Sequence, residues 1–199
     1  EMGSRGSGEL RLIEADNAAK ILNVDIRENL GMEDVWAIDS KENCLKIIQI
    51  IRKYQPKIVI CNARNDRHPD HAKGYEMVKK ASFLAGLIKI ETELDGKPQA
   101  HYRPNSVYNY IQFTFQTPDF VVDISDYIDI KMKSISAYSS QFFNPEHKGE
   151  EVETFISDKS FLDVVKGKDF LMGKVIGVKY AEGFQVDRYV GVNDIMTLV

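Results

Sequence analysis

The amino-acid sequence predicts an α/β fold in which helices flank a largely parallel sheet. Helix-like and strand-like segments alternate along the chain, and residues 57–61 have the apolar, β-branched composition of a strand buried on both faces. A polar turn follows that run directly. The chain has 199 residues, of which 43% are hydrophobic and 28% charged, enough for one compact core. We therefore expect residues 1–199 to form a single domain.

The first half of the chain predicts two helices, a strand and a third helix. Apolar residues at helical spacing predict an amphipathic helix over residues 9–22. Ser40 is a good N-cap for the second helix, which ends before Pro56. The strand described above comes next. Pro69, a residue favoured in a first helical turn, then begins a long helix that extends to about residue 90.

The second half predicts two strands followed by two helices. A charged loop containing residues 95–96, Asp-Gly, separates it from the first half. Residues 106–113 and 120–124 are strand-like, and helices are predicted over residues 126–141 and 157–177. In a fold of this class, a ligand site is expected at the carboxyl ends of the strands.

Charge and cysteine content exclude several functions. The chain carries 26 Lys and Arg against 30 Asp and Glu, a formal net charge of -4, so no basic field is present to bind nucleic acid or an anionic membrane. Its two cysteines, Cys44 and Cys61, have no metal-binding spacing and form no disulfide framework. No apolar run approaches the roughly 18 residues of a membrane span, and no secretory signal is recognisable. We expect a cytoplasmic protein.

The densest group of polar side chains is residues 64–71, Arg-Asn-Asp-Arg-His-Pro-Asp-His, directly after the predicted strand. If Pro69 begins the helix, His68 lies at its N-terminal end and His71 lies one turn along, so both imidazoles can face one crevice. This pair suits one metal ligand and one neighbouring acid or base. Asp70 is placed to accept the ring N–H of His68 and favour the imidazolium. The alternative is a solvated loop whose Asp70 only complements the helix dipole.

Residues 66–71, Asp-Arg-His-Pro-Asp-His, resemble the second signature of the PIG-L/LmbE-like N-acetylglucosamine deacetylases. Further segments are similar to this family in the same order, and the later ones to its bacillithiol-biosynthesis branch: residues 1–15, 119–125, 138–142 and 180–184. The resemblance covers nearly the whole chain. It implies a Rossmann-like α/β fold.

The resemblance also implies a reaction. Members of that branch hydrolyse the acetamide of N-acetylglucosaminyl malate to glucosaminyl malate and acetate. By motif, His71 is implied as a zinc ligand, and His68 as the protonated imidazole that stabilises the oxyanion and helps the amine leave. Asp70 is implied to orient and charge His68. Iron or another divalent metal suits a His-Asp-His ligand set as well as Zn2+ does.

Three further residues are candidates for binding the sugar substrate. Arg11 matches a position where the family places an arginine near substrate, and Arg67 flanks the signature; guanidinium groups suit the two carboxylates of malate. Gln141 is the third. For Arg11 a surface cation beside Glu14 remains an equal alternative, and for Gln141 a role in closing the helix end remains open. We expect a homo-oligomer, with no nucleic acid or membrane as partner.

The family's first signature, Ala-His-Pro-Asp-Asp, does not occur in these 199 residues. In the family it supplies a His and an Asp to the metal and an Asp as general base. We therefore expect an N-terminally incomplete deacetylase domain that lacks the first strand–helix–strand unit. A truncated reading of a full enzyme is favoured over a proteolytic fragment or a lineage that lost catalysis, because an α/β sheet without its central strand exposes two long edges.

The competing functional hypothesis is a non-catalytic α/β module that binds a sugar or a partner and has lost the metal site. A serine hydrolase using Ser139 or Ser140 is disfavoured, since the sequence has no G-x-S-x-G elbow.

Overall fold

The structure is a computed structural model that describes residues 5–32, 40–145 and 152–198. Its residues group into two compact units. The first, here called the helical unit, comprises Glu1–Asn29 and Asp123–Glu182, and the second, the sheet unit, comprises Leu30–Val122 and Gly183–Val199. The single-domain prediction stays a prediction, and residues 1–4 of the first family-like segment lie outside the described residues.

The helices and strands follow the predicted order closely. The helices are α1 (Gly8–Ile21), α2 (Lys41–Tyr54), α3 (Pro69–Leu84), α4 (Ile128–Ser136) and α5 (Phe161–Val175), with 3-10 turns at Phe155–Ser157 and Ile195–Thr197. The strands are β1 (Ile58–Cys61), β2 (Glu93–Leu94), β3 (Lys97–Pro98), β4 (Ser106–Tyr110), β5 (Phe120–Asp123) and β6 (Ala181–Val186).

The predicted fifth helix, residues 157–177, is longer than α5, Phe161–Val175. Two other predicted helices end at least five residues too late, and hydrogen bonds explain both. The third helix ends at Leu84 and not near residue 90, because the buried guanidinium of Arg52 binds the carbonyl oxygens of Ala85, Leu87 and Ile90 in a turn. The fourth helix ends at Ser136 and not at 141. There the backbone N–H of a later residue, Ser140, donates to a side chain of α1 and is lost to the helix.

The sheet unit is built on a four-stranded mixed sheet in the order β1-β4-β6-β5. β1 and β4 are parallel, with Cys61 opposite Asn109, whereas β4 and β6 are antiparallel, with Tyr108 opposite Val186. The α/β prediction is confirmed. Strand β6 and the short antiparallel hairpin of β2 and β3 were not predicted from the sequence.

The prediction that β1 is buried on both faces is wrong. Cys61 is buried, but Ile58 is 52% and Ile60 57% exposed. Helix α3 packs against β1 and β4, and it covers the face of β1 that carries Cys61. The apolar composition of β1 therefore reflects its β-propensity and only one buried face.

Helices α2 and α3 form the core of the sheet unit. Their apolar faces pack together in a cluster of buried side chains: Cys44, Ile48, Ile51, Ala81 and Ala85. Because α3 also contacts the parallel strands β1 and β4, its first turn is held beside their carboxyl ends. The polar loop between β1 and α3 is thus fixed at both of its ends.

In the helical unit, α4 packs against both α1 and α5. Ser7 caps α1, its Oγ accepting the N–H of Leu10 at 3.2 Å. Among the described residues, no helix is both long enough and apolar enough to span a membrane.

Candidate active site

The candidate site lies in the sheet unit, where the two parallel strands end. β1 runs into residues 62–68 and β4 into residues 111–116, and several hydrogen bonds connect these two segments. Parallel strands bring their carboxyl ends to one edge of a sheet, which is where ligand sites form in α/β folds. The expected location of the polar cluster is therefore confirmed.

Asp66 is the centre of this cluster. Its side chain is only 1% exposed. Its Oδ1 accepts the backbone N–H groups of Phe113 at 3.2 Å and Thr114 at 2.9 Å, and its Oδ2 lies 2.5 Å from Nδ1 of His71. Burial raises the pKa of Asp66, but hydrogen bonds from Thr114 and His71 outweigh burial and hold it below its usual value. Asp66 is therefore a carboxylate.

The contact with Asp66 fixes the tautomer of His71. A carboxylate can only accept, so Nδ1 of His71 carries the proton and Nε2 keeps its lone pair. The amide nitrogen of Gln112 lies 3.4 Å from Nε2. The side chain of His71 is 26% exposed, so that lone pair belongs to a partly accessible ring. A buried carboxylate behind a histidine is how proteins commonly orient a metal-ligating imidazole.

His68 has a different environment. It is the N-cap of α3, and its Nδ1 accepts the backbone N–H of Asp70 at 3.3 Å. Its side chain is 43% exposed, and its ring centroid lies 5.1 Å from that of His71. The structure therefore brings the two imidazoles together, as the spacing predicts.

The expected hydrogen bond from the His68 ring to the Asp70 carboxylate is absent from this geometry. Oδ2 of Asp70 lies 3.9 Å from Nδ1 of His68, too far for a hydrogen bond. The cause is local, because His68 is the N-cap of α3 and its Nδ1 accepts the backbone N–H of Asp70 instead. Within the described residues, Oδ2 of Asp70 is buried and accepts no hydrogen bond, so it remains a vacant acceptor beside His68.

The donor groups present suit one position of a metal's coordination sphere. Nε2 of His71 carries the lone pair of the ring, which the Gln112 amide contacts at 3.4 Å, and the Asp66 carboxylate supports the ring from the other side, as in a metal-ligating histidine. In residues 5–32, 40–145 and 152–198, no three His, Cys, Asp or Glu side chains are grouped so that they could hold a metal ion. A catalytic zinc commonly has three protein ligands.

The predicted substrate-binding residues are divided between the units. Arg67 is exposed in the loop of the sheet unit, next to His68. Arg11 and Gln141 belong to the helical unit, Arg11 half-buried on α1. Both protons of the Gln141 amide are used within that unit, one by the carbonyl of Arg5 and one by Oγ of Ser140, each at 2.8 Å. Only its Oε1 remains to accept a hydrogen bond from a substrate.

Sequence reasoning missed two residues of the site, Asp66 and Gln112. Asp66 was part of the recognised motif, but nothing in the sequence alone distinguishes it from Asp70 as the partner of a histidine. The deciding contacts come from Phe113 and Thr114, almost fifty positions later in the chain. Gln112 carried no signal, because its place beside His71 depends on the pairing of β1 with β4.

Comparison with known proteins supports the fold. A family model described as PIG-L, GlcNAc-PI de-N-acetylase, matches residues 1–82. The crystal structure of the conserved protein TT1542 from Thermus thermophilus is 31% identical, with a TM-score of 0.81; the match covers 96% of this chain and 80% of that one. The chain belongs to the PIG-L family.

Two further relatives of this PIG-L family member carry functional names. A diacetylchitobiose deacetylase from Thermococcus kodakarensis is 28% identical over 179 residues, which are 88% of this chain and 61% of that protein's length. The structure of N,N'-diacetylchitobiose deacetylase from Pyrococcus horikoshii is 24% identical, with a TM-score of 0.73; the match covers 89% of this chain and 63% of that one, and it supports the fold. The chain thus spans less than two thirds of either deacetylase.

Proposed function

We propose that this PIG-L family member hydrolyses the N-acetyl group of an N-acetylglucosamine conjugate. The observation that carries the proposal is the Asp66–His71 pair, in which a buried carboxylate holds an imidazole with its proton on Nδ1 and its lone pair on Nε2, where the Gln112 amide contacts it at 3.4 Å. Family membership supports an acetamide substrate, and two relatives are named as deacetylases. The pair is the arrangement expected for a metal ligand in such an enzyme.

In the proposed reaction His71 is a ligand of a divalent metal through Nε2. Zn2+ is the proposed ion, and iron or another divalent metal suits the same histidine. When bound, such an ion acidifies a water molecule and polarises the acetamide carbonyl. Asp66 keeps the proton on Nδ1 and stops the ring from rotating, so that Nε2 stays in its ligating form.

His68 supplies the proton that the leaving amine needs. As an imidazolium it stabilises negative charge on the acetamide oxygen, then donates a proton to the nitrogen as the C–N bond breaks. The vacant Oδ2 of Asp70, 3.9 Å from Nδ1, is an acceptor for the second ring proton of the imidazolium. A small rotation of the His68 ring exchanges the backbone cap for this charged hydrogen bond.

The proposed substrate is N-acetylglucosaminyl malate, which gives glucosaminyl malate and acetate in bacillithiol biosynthesis. The similarity of three later segments to that branch supports the malate aglycone, which carries two carboxylates. Arg11 and Arg67 are the proposed cations for these carboxylates, and Gln141 contributes through Oε1. A cytoplasmic homo-oligomer is the proposed form of the protein.

The direct test is amine release. The purified protein is incubated with Zn2+ and N-acetylglucosaminyl malate, and primary amine and acetate are measured in parallel with diacetylchitobiose and free N-acetylglucosamine as competing substrates. We expect equal amounts of amine and acetate, fastest with the malate conjugate, and loss of both with a chelator or with His71→Gln. If none of several N-acetylglucosaminides releases acetate, the enzyme proposal is wrong.

The second candidate is a non-catalytic α/β module that binds a sugar. The observation that favours it is that, in the described part of the chain, no three His, Cys, Asp or Glu side chains are grouped so that they could hold a metal ion. It predicts that sugar binding, measured by calorimetry, is unchanged by a chelator and by His71→Ala. The deacetylase proposal predicts that both treatments weaken binding.

A further inference from the structure

A second polar cluster holds the first half of the loop that carries the candidate site. Its centre is Asn109 on β4, which is 1% exposed and lies opposite Cys61, the last residue of β1. Oδ1 of Asn109 accepts Nε–H of Arg64 at 3.1 Å, and its Nδ2 donates to the carbonyl oxygen of Asn62 at 3.4 Å. Both polar ends of one buried amide therefore contact the loop.

Arg64 is fixed at its other end as well. Its Nη2 lies 2.8 Å from Oδ1 of Asp187, which follows β6, in an ion pair rather than a straight hydrogen bond. Asp187 in turn accepts the hydroxyl of Tyr75 at 2.8 Å and lies 3.3 Å from Nζ of Lys79, both on α3. The guanidinium of Arg64 is thus held between β4 and the residue that follows β6, and that residue in turn contacts α3.

The second half of the same loop has a separate anchor. Oδ1 of Asp66 accepts two backbone N–H groups from the segment just after β4. The stretch of residues 62–66 is therefore attached to β4 at residue 109 and to its extension at residues 113–114, although β1 has already ended at Cys61. Both halves of the loop are therefore attached to β4 or to its extension.

We propose that Asn109 is a positioning residue for the candidate site: through Arg64 and the carbonyl of Asn62 it holds the loop so that Asp66 meets Nδ1 of His71. Asp187 supports it by fixing Arg64. The consequence for metal binding rests on the proposed function, but the geometric claim does not. Neither Asn109 nor Asp187 is in hydrogen-bond contact with either histidine, so an effect on His71 must pass through the loop.

The test reads the His71 ring itself. An Nδ1 proton bonded to a buried carboxylate exchanges slowly with water and gives a separate imidazole signal in proton–nitrogen NMR spectra; His71→Gln assigns it by removing it. Asn109→Leu keeps the number and branching of the side-chain heavy atoms and deletes both amide hydrogen bonds. We expect exchange of the His71 proton to accelerate roughly 5–30-fold, the factor that corresponds to losing a hydrogen bond or two.

Lys79→Gln is the matched control. It removes a charge from the Asp187 cluster, but Lys79 bonds Tyr75 and Asp187 and no residue of the loop, so the His71 signal should be unchanged. Slow amide exchange at Ile60 and Tyr108 shows that the sheet is intact in each variant. If Asn109→Leu does not fold, Asn109→Ser and Asp187→Asn make the same measurement with smaller disturbance.

The inference is overturned if folded Asn109 and Asp187 variants keep the wild-type exchange rate at His71, or if the wild-type protein shows no protected His71 proton. These outcomes are distinguishable from failure of the proposed function. A protein that releases no acetate but whose His71 signal responds to Asn109→Leu leaves the positioning role standing. If the protein is an active deacetylase and Asn109→Leu leaves the exchange rate of the His71 proton unchanged, the positioning role alone is refuted.

Discussion

Two buried carboxylates, one in each unit, each accept three hydrogen bonds but differ in the kinds of donor. Glu14 in the helical unit is 2% exposed and accepts hydrogen bonds from Oγ of Ser139 and from both N–H and Oγ of Ser140. Asp66 in the sheet unit, with a side chain 1% exposed, accepts two backbone N–H groups and the imidazole of His71.

The two carboxylates differ in whether a donor has a second atom that could bind a ligand. The hydroxyls and the amide that bind Glu14 are fully used in joining α1 to the turn after α4, so the result is stability. The imidazole that binds Asp66 has a second nitrogen, Nε2, which the proposed function assigns to a metal ion. Burial and hydrogen bonding of a carboxylate do not by themselves indicate a functional site. The imidazole donor is what distinguishes Asp66 from Glu14.

The largest effect is expected for His68, the histidine that is hydrogen-bonded to neither Glu14 nor Asp66. His68→Ala should reduce kcat for deacetylation by roughly 10²–10⁴, the usual contribution of a general acid, while leaving Zn2+ affinity within about twofold. Steady-state amine release and metal titration measure the two quantities. An equal fall in metal affinity would show that His68 is a ligand, and the distinction between the two histidines would then be wrong.

Asp66→Asn tests directly whether the Asp66 carboxylate keeps His71 in its proposed ligating form. The amide removes the charge behind His71 and permits the wrong tautomer, so Zn2+ affinity and activity should each fall about 10–100-fold. Competition with a chromophoric chelator gives the affinity. Unchanged affinity would mean that His71 is not a metal ligand.

Glu14→Gln is the matched change in the other unit. The free energy of unfolding should fall by about 1.5–3 kcal/mol, since hydrogen bonds to a buried charge are weakened, while the imidazole signal of His71 is unchanged. Urea titration measures the stability, and exposed Glu153→Gln, expected within about 0.5 kcal/mol of wild type, is the control. A shifted His71 signal would show that Glu14 serves the site too.

The smallest expected effect is a change in the free energy of unfolding at acid pH. Because the folded state lowers the pKa of Asp66 below its usual 3.8, ionised Asp66 stabilises the metal-free protein above that pH, and the contribution is lost as the pH falls through the lowered pKa. The gap in stability between wild type and Asp66→Asn should therefore narrow between pH 5 and pH 3 in urea titrations. A constant gap would mean that folding does not lower the pKa of Asp66.

The sequence predicted what depends on neighbours along the chain. Ser40 and Pro69 mark helix starts, and His68 and His71 fall on one side of the first turn of α3. It did not predict what depends on strand pairing. The choice of Asp66 over Asp70 as the partner of His71 follows from backbone N–H groups beyond β4.

Long-range bonds also explain the remaining errors in the fold. The end of α3 is set by Arg52, which lies on another helix, and the end of α4 by Glu14, which lies more than a hundred residues earlier. Strand β6 contains Ala, Glu and Gly, and it is a strand because β4 offers it a partner. Propensity and periodicity contain none of this information.

Arg52 adds a property that no carboxylate in the molecule can have. Its guanidinium is 4% exposed, and its four hydrogen-bond partners are neutral oxygens, three backbone carbonyls and the hydroxyl of Thr92. Neither side of this contact titrates in the acid range, because the cation keeps its proton and carbonyls take none. We therefore expect the hydrogen bonds of Arg52 in the turn after α3 to persist at an acid pH that already weakens the hydrogen bonds of the carboxylates around it.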